Sequence, residues 1–349
     1  MSLQLTHEVL HLGLRDPFHI AREDHDSGNR VTTVIVELRD DRFPDLVGVG
    51  EGYPDRFYDV TPESMAATFP LLLGAVGEFQ PDEAGLIVAE FAMESAVRGH
   101  GATRSAIDIA LHDLVGKVTG LPVHELRGLS ADLPPTDFTI GIDEPEIVAR
   151  RAARAADFPA LKIKLGGPRD LATLEAVRAV YDGPIRVDAN TGWIPDEAVE
   201  LLPELERLGV ELIEQPFPAD RLDQLRWLQE RSALPLVADE SCVVLADLER
   251  LVGVVAGVNV KLAKCGGIGP AKRMLERARD LGFRTFLGCM EETSVGIAGS
   301  AVVASLADWV DLDGCLLLAD DPFKGLELDA AHRWILPGRP GLGLTRRTV

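Results

Sequence analysis

The stretch "ALKIKLGG" at residues 160–167 has the alternation of a buried β-strand, but one of its faces carries lysines. Leucine and isoleucine alternate there with Lys162 and Lys164. Because residues i and i+2 of a strand point to the same side, the apolar side chains share one face and the lysines share the other. Lysine is seldom fully buried without a partner or a chemical role. The stretch therefore predicts a strand that packs outward through its apolar face and presents two ammonium groups to a site inside.

This stretch is one of eight short apolar runs that alternate with helical patterns from about Thr136 onward. The runs are "TDFTIGI", "ALKIKLG", "PIRVDAN", "ELIEQPF", "PLVADES", "GVNVKLA", "RTFLGCM" and "WVDLDGCLLL". The segments between them have amphipathic helix spacing, which indicates parallel β/α units. Polar residues at the carboxyl end of nearly every run favour a closed (β/α)8-type TIM barrel, because barrel active sites form there. An open doubly wound sheet is the alternative, but we find no glycine-rich phosphate turn after its first strand.

The first 130 residues have a different pattern and predict a separate α+β domain. Three strand-like runs, "LTHEVLHLGL", "VTTVIVELRD" and "LVGVGEGY", precede helical segments, and Gly120 is a candidate helix C-cap. The proline-bearing segment "LSADLPPTD" is a reasonable boundary. We therefore expect an α+β domain at 1–130 and a barrel at 131–321. The tail, from about 322 to 349, contains no further β/α unit and is expected to pack back on the first domain.

Composition excludes several classes of partner. The chain of 349 residues has 56 acidic and 35 basic residues, a formal charge of −21, which argues against nucleic acid and anionic membranes as partners. No apolar run approaches the roughly 18 residues of a membrane span. The four cysteines form no CxxC pair, and the N-terminus lacks the pattern of a secretory signal. We expect a cytoplasmic protein with reduced thiols.

Carboxylates end three consecutive predicted strands and indicate a metal site. Asp188 lies in "RVDAN", Glu214 in "LIEQP" and Asp239 in "VADES". Three neighbouring buried carboxylates do not stay ionised without a compensating cation. Oxygen ligands without histidine or cysteine favour a hard ion such as Mg²⁺ over zinc. The alternative is that each carboxylate separately caps a helix or lies on the surface.

Two lysines flank this corner from opposite sides of the predicted barrel, Lys164 on the second strand and Lys261 on the sixth. A neutral lysine is a usable base if its pKa falls towards roughly 7–8 through burial and neighbouring cations, here Lys162 and the metal. The alternative is a structural network in which the lysines pair with the carboxylates. Lys264 is a second candidate for the role given to Lys261. Its odd offset from Lys261 along the chain, however, predicts that it lies on the other face of the strand or in the following loop. All eight histidines lie outside the predicted barrel strands, which excludes histidine catalysis from those strands.

Further polar pairs share a strand face with these groups. Asn190 follows Asp188 at i+2 and is a candidate substrate-binding residue. Asp311 and Asp313, in "DLDG" of the last strand, form another i,i+2 pair. Two carboxylates at the barrel mouth would repel an anionic substrate and attract an ammonium group. The alternative is a capped turn after the last strand.

The chain resembles the enolase superfamily, and within it most closely the muconate-lactonising-enzyme subgroup. The resemblance is carried by five motifs that follow an α+β domain, "KIK", "DAN", "EQP", "DES" and "NVK". The likeness covers nearly the whole chain, including "AIDIALHDLVGKVTGLPVHELRG". It implies a modified (β/α)7β barrel with an N-terminal capping domain. It further implies that Asp188, Glu214 and Asp239 bind Mg²⁺ and that Lys164 and Lys261 are acid/base lysines. Lys162 would hold the substrate carboxylate or depress the pKa of Lys164.

Members of this superfamily abstract a proton α to a carboxylate and form an enediolate. The use of a lysine base together with Mg²⁺ is already known for sites of this superfamily. Two facing lysines suit 1,1-proton transfer, and the Asp-x-Asp of Asp311 and Asp313 is similar to that of dipeptide epimerases, where it binds a free amino group. A Mg²⁺-dependent dipeptide epimerase is therefore the leading hypothesis, with a dipeptide as partner and L-Ala-D/L-Glu as a candidate. We expect a homo-oligomer.

Alternatives remain within and outside this superfamily. A muconate cycloisomerase or an o-succinylbenzoate synthase/N-acylamino acid racemase has similar lysines. An aldolase-type barrel would use Lys164 or Lys261 for a Schiff base, and a non-catalytic binding barrel would move no proton.

Substrate choice is expected to depend on the loops at 19–30 and 52–64. Arg22 or Arg30 of the first loop could accept an acidic side chain. Its acidic residues could equally recruit a basic one; these are Glu23, Asp24 and Asp26.

Overall fold

The N-terminal part of the protein is built on a three-stranded antiparallel sheet. The computed structural model describes residues 3–22 and 29–347. The strands are β1 (Leu3–Gly13), β2 (Arg30–Asp40) and β3 (Gly48–Gly52), in the order β1-β2-β3. Most side chains of the central strand, β2, are buried, which suits its β-branched run "VTTVIV".

Helices cover one face of this sheet. They are a 3-10 turn (Arg56–Tyr58), α1 (Pro62–Val76), α2 (Glu83–Ala96), α3 (Gly101–Thr119) and the short α4 (Val123–Leu126). A capping box begins α1, because the side chains of Thr61 and Ser64 each accept the other's backbone N–H. A Cβ at Gly48, Gly50 or Gly52 would lie 2.1, 2.0 or 2.3 Å from a carbonyl oxygen of α3. The glycines of β3 therefore allow the sheet to lie directly against α3.

The second part of the chain is a barrel of eight parallel strands in sequential order. They are β4 (Phe138–Ile140), β5 (Leu161–Lys164), β6 (Ile185–Asp188), β7 (Val210–Glu214), β8 (Leu236–Ala238), β9 (Gly257–Val260), β10 (Arg284–Gly288) and β11 (Trp309–Asp311). A parallel bridge between Thr136 and Val310 joins the first strand to the last. The predicted barrel with a separate N-terminal sheet domain is confirmed.

Helices surround the barrel. They are α5 (Pro145–Arg154), α6 (Asp170–Arg178), α7 (Pro195–Arg207), α8 (Leu222–Gln229), α9 (Asp247–Leu251), α10 (Leu262–Cys265), α11 (Ile268–Asp280), α12 (Ser294–Ala301), a 3-10 turn (Ala304–Leu306) and α13 (Gly314–Leu317). A single helical turn, α13, follows the last strand. None of the described helices combines the length and the apolar character that crossing a membrane requires.

The barrel strands place their apolar and polar side chains on opposite faces. Leu161, Ile163 and Leu165 belong to the main hydrophobic core, which includes side chains of the surrounding helices. Lys162 lies inside the barrel, with its ammonium group 5.1 Å from the centre of the Phe286 ring. The inner wall also holds a separate apolar cluster; its members are Leu212, Val237, Phe286 and Trp309. The alternation in "LKIKL" therefore directs both lysines of β5 inward.

The C-terminal tail contacts both parts of the molecule. Its short strands are β12 (Phe323–Lys324), β13 (Glu327–Leu328), β14 (Trp334–Ile335) and β15 (Thr345–Arg346). The N–H of Leu342 donates to Asp113 of α3 at 2.8 Å. The N–H of Gly341 donates to the Leu121 carbonyl oxygen, and its own carbonyl oxygen accepts from the N–H of Val123, the first residue of α4. On the barrel side, Trp334 Nε1 donates to the Leu312 carbonyl oxygen at 2.9 Å. The division of the chain near residues 130 and 321 stays a prediction.

Candidate active site

Five consecutive barrel strands, β5 to β9, end in polar side chains at one rim. Lys164 ends β5, Asp188 ends β6 and Glu214 ends β7, and these residues are direct register partners. Asp239 and Lys261 follow β8 and β9 by one residue. The structure therefore brings together the three predicted metal ligands and the two predicted acid/base lysines.

The three carboxylates of Asp188, Glu214 and Asp239 converge. All are at most 1% exposed, and each offers an oxygen within 4.8 Å of the others. Burial and the charge of Asp188 raise the pKa of Glu214 to about 7, although Lys162 opposes this shift. Crowded carboxylates in a buried site favour a bound cation, and an all-oxygen set suits a hard divalent ion. These residues therefore fit Mg²⁺.

Lys164 and Lys261 contact the carboxylates from opposite sides. Lys164 Nζ is 2.7 Å from Asp188 Oδ2, and Lys261 Nζ is 2.9 Å from Asp239 Oδ2. Their strands, β5 and β9, stand on either side of β6 to β8. Burial would lower the pKa of Lys261, but Asp239 outweighs it and holds that pKa above its usual value. The lowered pKa that a lysine base needs stays a prediction for Lys261.

Lys162 lies deeper in the barrel than the other two lysines and is fully buried. Its Nζ is 2.7 Å from Asp311 Oδ2, 2.8 Å from Glu214 Oε2 and 3.3 Å from Asp188 Oδ2. Although burial opposes its charge, these carboxylates hold the pKa of Lys162 well above its usual value. Lys162 thus links the metal-site carboxylates to the last strand. Its proposed influence on Lys164 stays a prediction.

Lys264, predicted to lie on another face or in a loop, also reaches this cluster. It belongs to α10, and its Nζ contacts Asp239 Oδ1. The same ammonium group donates to the carbonyl oxygens of Asp239, Cys242 and Asn259 at 2.7, 2.9 and 2.9 Å. Because backbone acceptors and Asp239 take its hydrogens, Lys264 holds the loop after β8 in place and has none to spare for a substrate.

Asp311 and Asp313 lie together against Thr139, a residue that the sequence did not single out. Thr139 Oγ1 donates to Asp311 Oδ1 at 2.9 Å, and Thr139 N–H donates to Asp313 Oδ2 at 2.6 Å. Burial opposes the charge of Asp311, yet Lys162 keeps its pKa below the usual range. Burial and the Asp311 charge raise the pKa of Asp313 well above it. The two carboxylates therefore have different protonation preferences.

Arg22 and Asn190 meet at Glu240, the residue after Asp239. Arg22 Nη1 donates to Glu240 Oε1, and Asn190 Nδ2 donates to the same oxygen at 3.3 Å. The Asn190 N–H also donates to Asp188 Oδ1 at 2.9 Å. Both predicted binding residues thus lie beside the metal-site carboxylates, and Glu240 joins them.

Other residues of the first loop have different positions. Arg30 lines a polar cavity of about 270 Å³ together with Arg56 and Glu291. The acidic residues considered above lie outside the described residues; they are Glu23, Asp24 and Asp26.

A second cluster of potential metal ligands lies away from the barrel mouth. Glu90 of α2 lies near Asp108 and His112 of α3, and all three are buried. Arg127 Nη1 is 3.5 Å from Glu90 Oε1, and Arg273 Nη1 also contacts Glu90. The guanidinium groups balance the two carboxylates, so this cluster fits a structural ion-pair network better than a metal.

Glu51 of β3 joins the N-terminal domain to the barrel loop that carries Glu292. Its carboxylate accepts hydrogen bonds from Thr33 Oγ1 and from Thr293 N and Oγ1. It also accepts from Gly296 N–H at 2.8 Å, at the beginning of α12. No local motif pointed to Glu51, because its partners in the barrel loop lie far along the chain. This carboxylate fixes the barrel loop after β10 against the N-terminal sheet.

Burial and the nearby Glu51 charge raise the pKa of Glu292 from 4.5 to about 8. A raised folded-state pKa gives stability that is complete below the unfolded pKa and is lost as the pH rises through the folded pKa. We therefore expect the unfolding free energy of wild type, relative to Glu292→Gln, to fall between pH 5 and 8. The limiting slope is about 1.4 kcal/mol per pH unit. Urea unfolding across this range measures it. Glu291→Gln is the neighbouring control, and equal pH slopes for wild type and Glu292→Gln would contradict the prediction.

Fold and site together define a barrel enzyme with a carboxylate metal site between two lysines. The comparisons with known proteins agree with this class. Residues 5–128 match the family described as mandelate racemase / muconate lactonizing enzyme, N-terminal domain, and residues 147–348 match the family described as enolase C-terminal domain-like. The chain belongs to the mandelate racemase / muconate lactonizing enzyme family of the enolase superfamily.

The proteins that this chain is similar to include several dipeptide epimerases. An L-Ala-D/L-amino acid epimerase of Maribacter sp. is 33% identical over 98% of this chain and 99% of its own length. An L-Ala-D/L-Glu epimerase of Bacteroides thetaiotaomicron is 42% identical over 70% of this chain, although the match spans only 64% of that protein. A dipeptide epimerase of Enterococcus faecalis V583, solved with Mg and L-Leu-L-Tyr, has a TM-score of 0.90 and 31% identity. That match covers 99% of this chain and 100% of the solved one.

Proposed function

We propose that this protein is a Mg²⁺-dependent dipeptide epimerase that inverts the α-carbon of the C-terminal residue. The observation that carries the proposal is the placement of Lys164 and Lys261 on opposite sides of the buried carboxylate cluster. One-sided acid/base chemistry requires a single lysine, whereas inversion requires a group on each face of the α-carbon. The names of the relatives in Maribacter, Bacteroides and Enterococcus support this reaction.

Asp188, Glu214 and Asp239 would hold the Mg²⁺. When bound, the ion supplies positive charge against the negative charge that develops on the substrate carboxylate as the α-proton leaves. The buried position of the three carboxylates excludes water from around that charge, which strengthens the interaction.

Proton transfer falls to the two lysines. The neutral lysine on one face takes the α-proton onto Nζ, and the ammonium group on the other face returns a proton to the same carbon. Each Nζ lies against one of the carboxylates that would bind the metal. The two lysines would therefore lie on opposite sides of the α-carbon of a substrate whose carboxylate is bound at this cluster. Exchanging the roles of Lys164 and Lys261 runs the reaction in reverse.

Asp313 and Asp311 would bind the free ammonium group of the dipeptide. Thr139 fixes both carboxylates through one side-chain and one backbone hydrogen bond. Asp311 is also committed to Lys162. An ammonium ion beside Asp313 would compensate the pair and relieve the repulsion that raises the pKa of Asp313. This placement favours a dipeptide with a free amino end over an N-acylated amino acid.

The side chain of the inverted residue would lie towards Arg22, which makes L-Ala-D/L-Glu the candidate substrate. Arg22 reaches the rim beside Glu240, and its Nη2 is 3.6 Å from Asp55, longer than a hydrogen bond. Donors of the guanidinium therefore remain for a substrate carboxylate. The homo-oligomeric state and the cytoplasmic location stay predictions.

The direct test is a dipeptide library incubated with the enzyme and Mg²⁺ in D₂O. We expect a substrate to gain one deuterium at the α-carbon of its C-terminal residue and to appear as both epimers. Mass spectrometry reports the deuterium and chiral chromatography the epimers.

N-acetylated versions of the active dipeptides provide the matched control, and we expect them to react much more slowly because they lack the ammonium group. Absence of deuterium from every dipeptide would refute the proposed function. Equal rates with N-acetylated dipeptides would refute the role of Asp311 and Asp313.

A further inference from the structure

Gln215 directly follows the metal-site residue Glu214 and has an unusual backbone conformation. Its φ angle is +34°, in the left-handed region that residues other than glycine seldom adopt. Two more such residues, Asn190 and Thr191, lie in the loop after Asp188, at the end of the neighbouring strand β6. A backbone of this kind costs free energy and persists only where the surrounding structure fixes it. The conformation of Gln215 therefore requires a specific set of contacts.

The main chain of Gln215 connects the two strand ends beside it. Its N–H donates to the Val237 carbonyl oxygen of β8 at 2.9 Å. Its carbonyl oxygen accepts from the Thr191 N–H, in the loop after β6, at 2.8 Å. Gln215 itself follows β7. Its backbone therefore links β6, β7 and β8, the three strands whose ends carry the predicted metal ligands.

The side chain of Gln215 is fully buried and holds the loop after β8. Its Oε1 accepts from the N–H groups of Asp239 and Ser241, at 2.9 and 3.1 Å. Its Nε2 donates to the Phe217 carbonyl oxygen at 2.7 Å and to Ser241 Oγ at 2.9 Å. A side-chain amide has two acceptor sites and two N–H donors. All four are used here, so the amide group has one defined orientation.

The backbone of Asp239 is held by side chains on both of its polar groups. This residue lies one position beyond the end of β8. Its N–H donates to Gln215, and its carbonyl oxygen accepts from Lys264 Nζ at 2.7 Å. Because the N–H and the side chain of a residue share the same Cα, the hydrogen bond to Gln215 helps to fix the direction in which the Asp239 carboxylate points.

We infer that Gln215 is a positioning residue of the metal centre, which holds Asp239 where its carboxylate can share a cation with Asp188 and Glu214. The inference rests on the metal site of the proposed function and adds a residue that is not itself a ligand. Partners that orient metal ligands contribute to affinity, and the loss of one typically costs roughly 10- to 100-fold. The left-handed backbone at Gln215 is maintained because so many contacts depend on it.

The experiment measures Mn²⁺ binding by electron paramagnetic resonance in wild type, Gln215→Met and Gln215→Asn. Methionine has nearly the shape of glutamine but makes none of the four side-chain hydrogen bonds. Asparagine keeps the amide, but its shorter side chain does not reach the Asp239 N–H. It also adopts left-handed backbone more readily than most residues, which favours folding of this variant. We expect both variants to bind Mn²⁺ roughly 10- to 100-fold more weakly than wild type.

Gln229→Met is the matched control, because Gln229 makes similar hydrogen bonds at the opposite end of β8. Its Oε1 accepts from the N–H groups of Leu236 and Ala256, at 2.8 and 3.1 Å, and its Nε2 donates to the Leu234 carbonyl oxygen at 3.2 Å. The thermal midpoint should fall in both methionine variants, because each leaves backbone N–H groups without an acceptor. Only Gln215→Met should lose affinity for Mn²⁺.

Wild-type Mn²⁺ affinity in folded Gln215→Met or Gln215→Asn would overturn the inference. Equal weakening in Gln229→Met would overturn it too, because the loss would then follow from general destabilisation of β8. If Gln215→Met does not fold, the affinity of Gln215→Asn decides. Failure of wild type to bind Mn²⁺ would instead remove the metal site of the proposed function, and the inference with it.

Discussion

Lys164→Ala and Lys261→Ala are each expected to abolish epimerisation, with a loss of at least about 10²- to 10⁴-fold in kcat, the typical contribution of a positioned acid or base. Each variant should still exchange the α-proton of one stereoisomer. The remaining lysine continues to remove and return a proton on its own face. Mass spectrometry in D₂O with each pure stereoisomer measures this exchange separately from inversion.

The contacts of the two lysines indicate that both variants will fold. Asp188 keeps Lys162 at 3.3 Å when Lys164 is removed, and Asp239 keeps Lys264 when Lys261 is removed. Neither substitution therefore leaves a buried carboxylate without a cation, the situation that costs most stability. Loss of activity in a folded variant then reports on the chemistry.

Lys272→Ala is the control, because that lysine pairs with Glu276 on the outer surface of α11. It should retain wild-type activity. If Lys164→Ala or Lys261→Ala still interconverted the two epimers at the wild-type rate, the two-lysine mechanism would be wrong. Exchange of both stereoisomers by a single-lysine variant would likewise show that the lysines do not serve separate faces.

The inward direction of the lysines was predictable because it depends on strand parity alone. In "LKIKL" the apolar residues had to face the helices, which left one side for Lys162 and Lys164. The same reasoning located Asp188 and Glu214 at neighbouring strand ends, since parallel strands in sequential order bring their carboxyl ends together. Local pattern therefore determines which residues line the barrel mouth.

Contacts between distant segments were not predictable in the same way. Thr139 meets Asp311 across 172 residues because closure of the barrel brings the first strand beside the last. Glu51 meets Thr293 across 242 residues because the N-terminal sheet packs on the barrel. A short polar motif does not show which distant residues its side chains will contact in the folded protein. The raised pKa of Lys261 was unpredictable for the same reason, because the direction of the pKa shift depends on the distance between Lys261 and Asp239.

The largest predicted effect concerns the metal. Removing divalent ions with EDTA is expected to reduce epimerisation to the background rate, and Mg²⁺ should restore it. Without the dication, the charge that develops on the substrate carboxylate faces a cluster of buried carboxylates, which raises the barrier. An EDTA-treated enzyme that kept full activity would contradict the metal site and leave a Schiff-base lysine as the alternative, which borohydride trapping would detect.

Glu214→Gln is the sharpest variant for this site, because it removes one ligand charge and disturbs few other contacts. Asn259 Nδ2 donates to Glu214 Oε1 at 2.7 Å and can donate to an amide oxygen equally well. Lys162 keeps Asp311 and Asp188 as partners. We expect the variant to fold and to bind Mn²⁺, a spectroscopic substitute for Mg²⁺, at least about 100-fold more weakly, the upper end of the cost of losing an outer-shell partner.

Glu211→Gln is the matched control, since Glu211 lies on the same strand but pairs with Arg186 and Trp309, away from the carboxyl end. Mn²⁺ binding followed by electron paramagnetic resonance gives a readout that is independent of turnover. Wild-type affinity in Glu214→Gln would exclude Glu214 as a ligand, and equal weakening in both variants would mean that β7 had been distorted. A loss confined to Glu214→Gln would place the ion at the strand ends, between the two lysines.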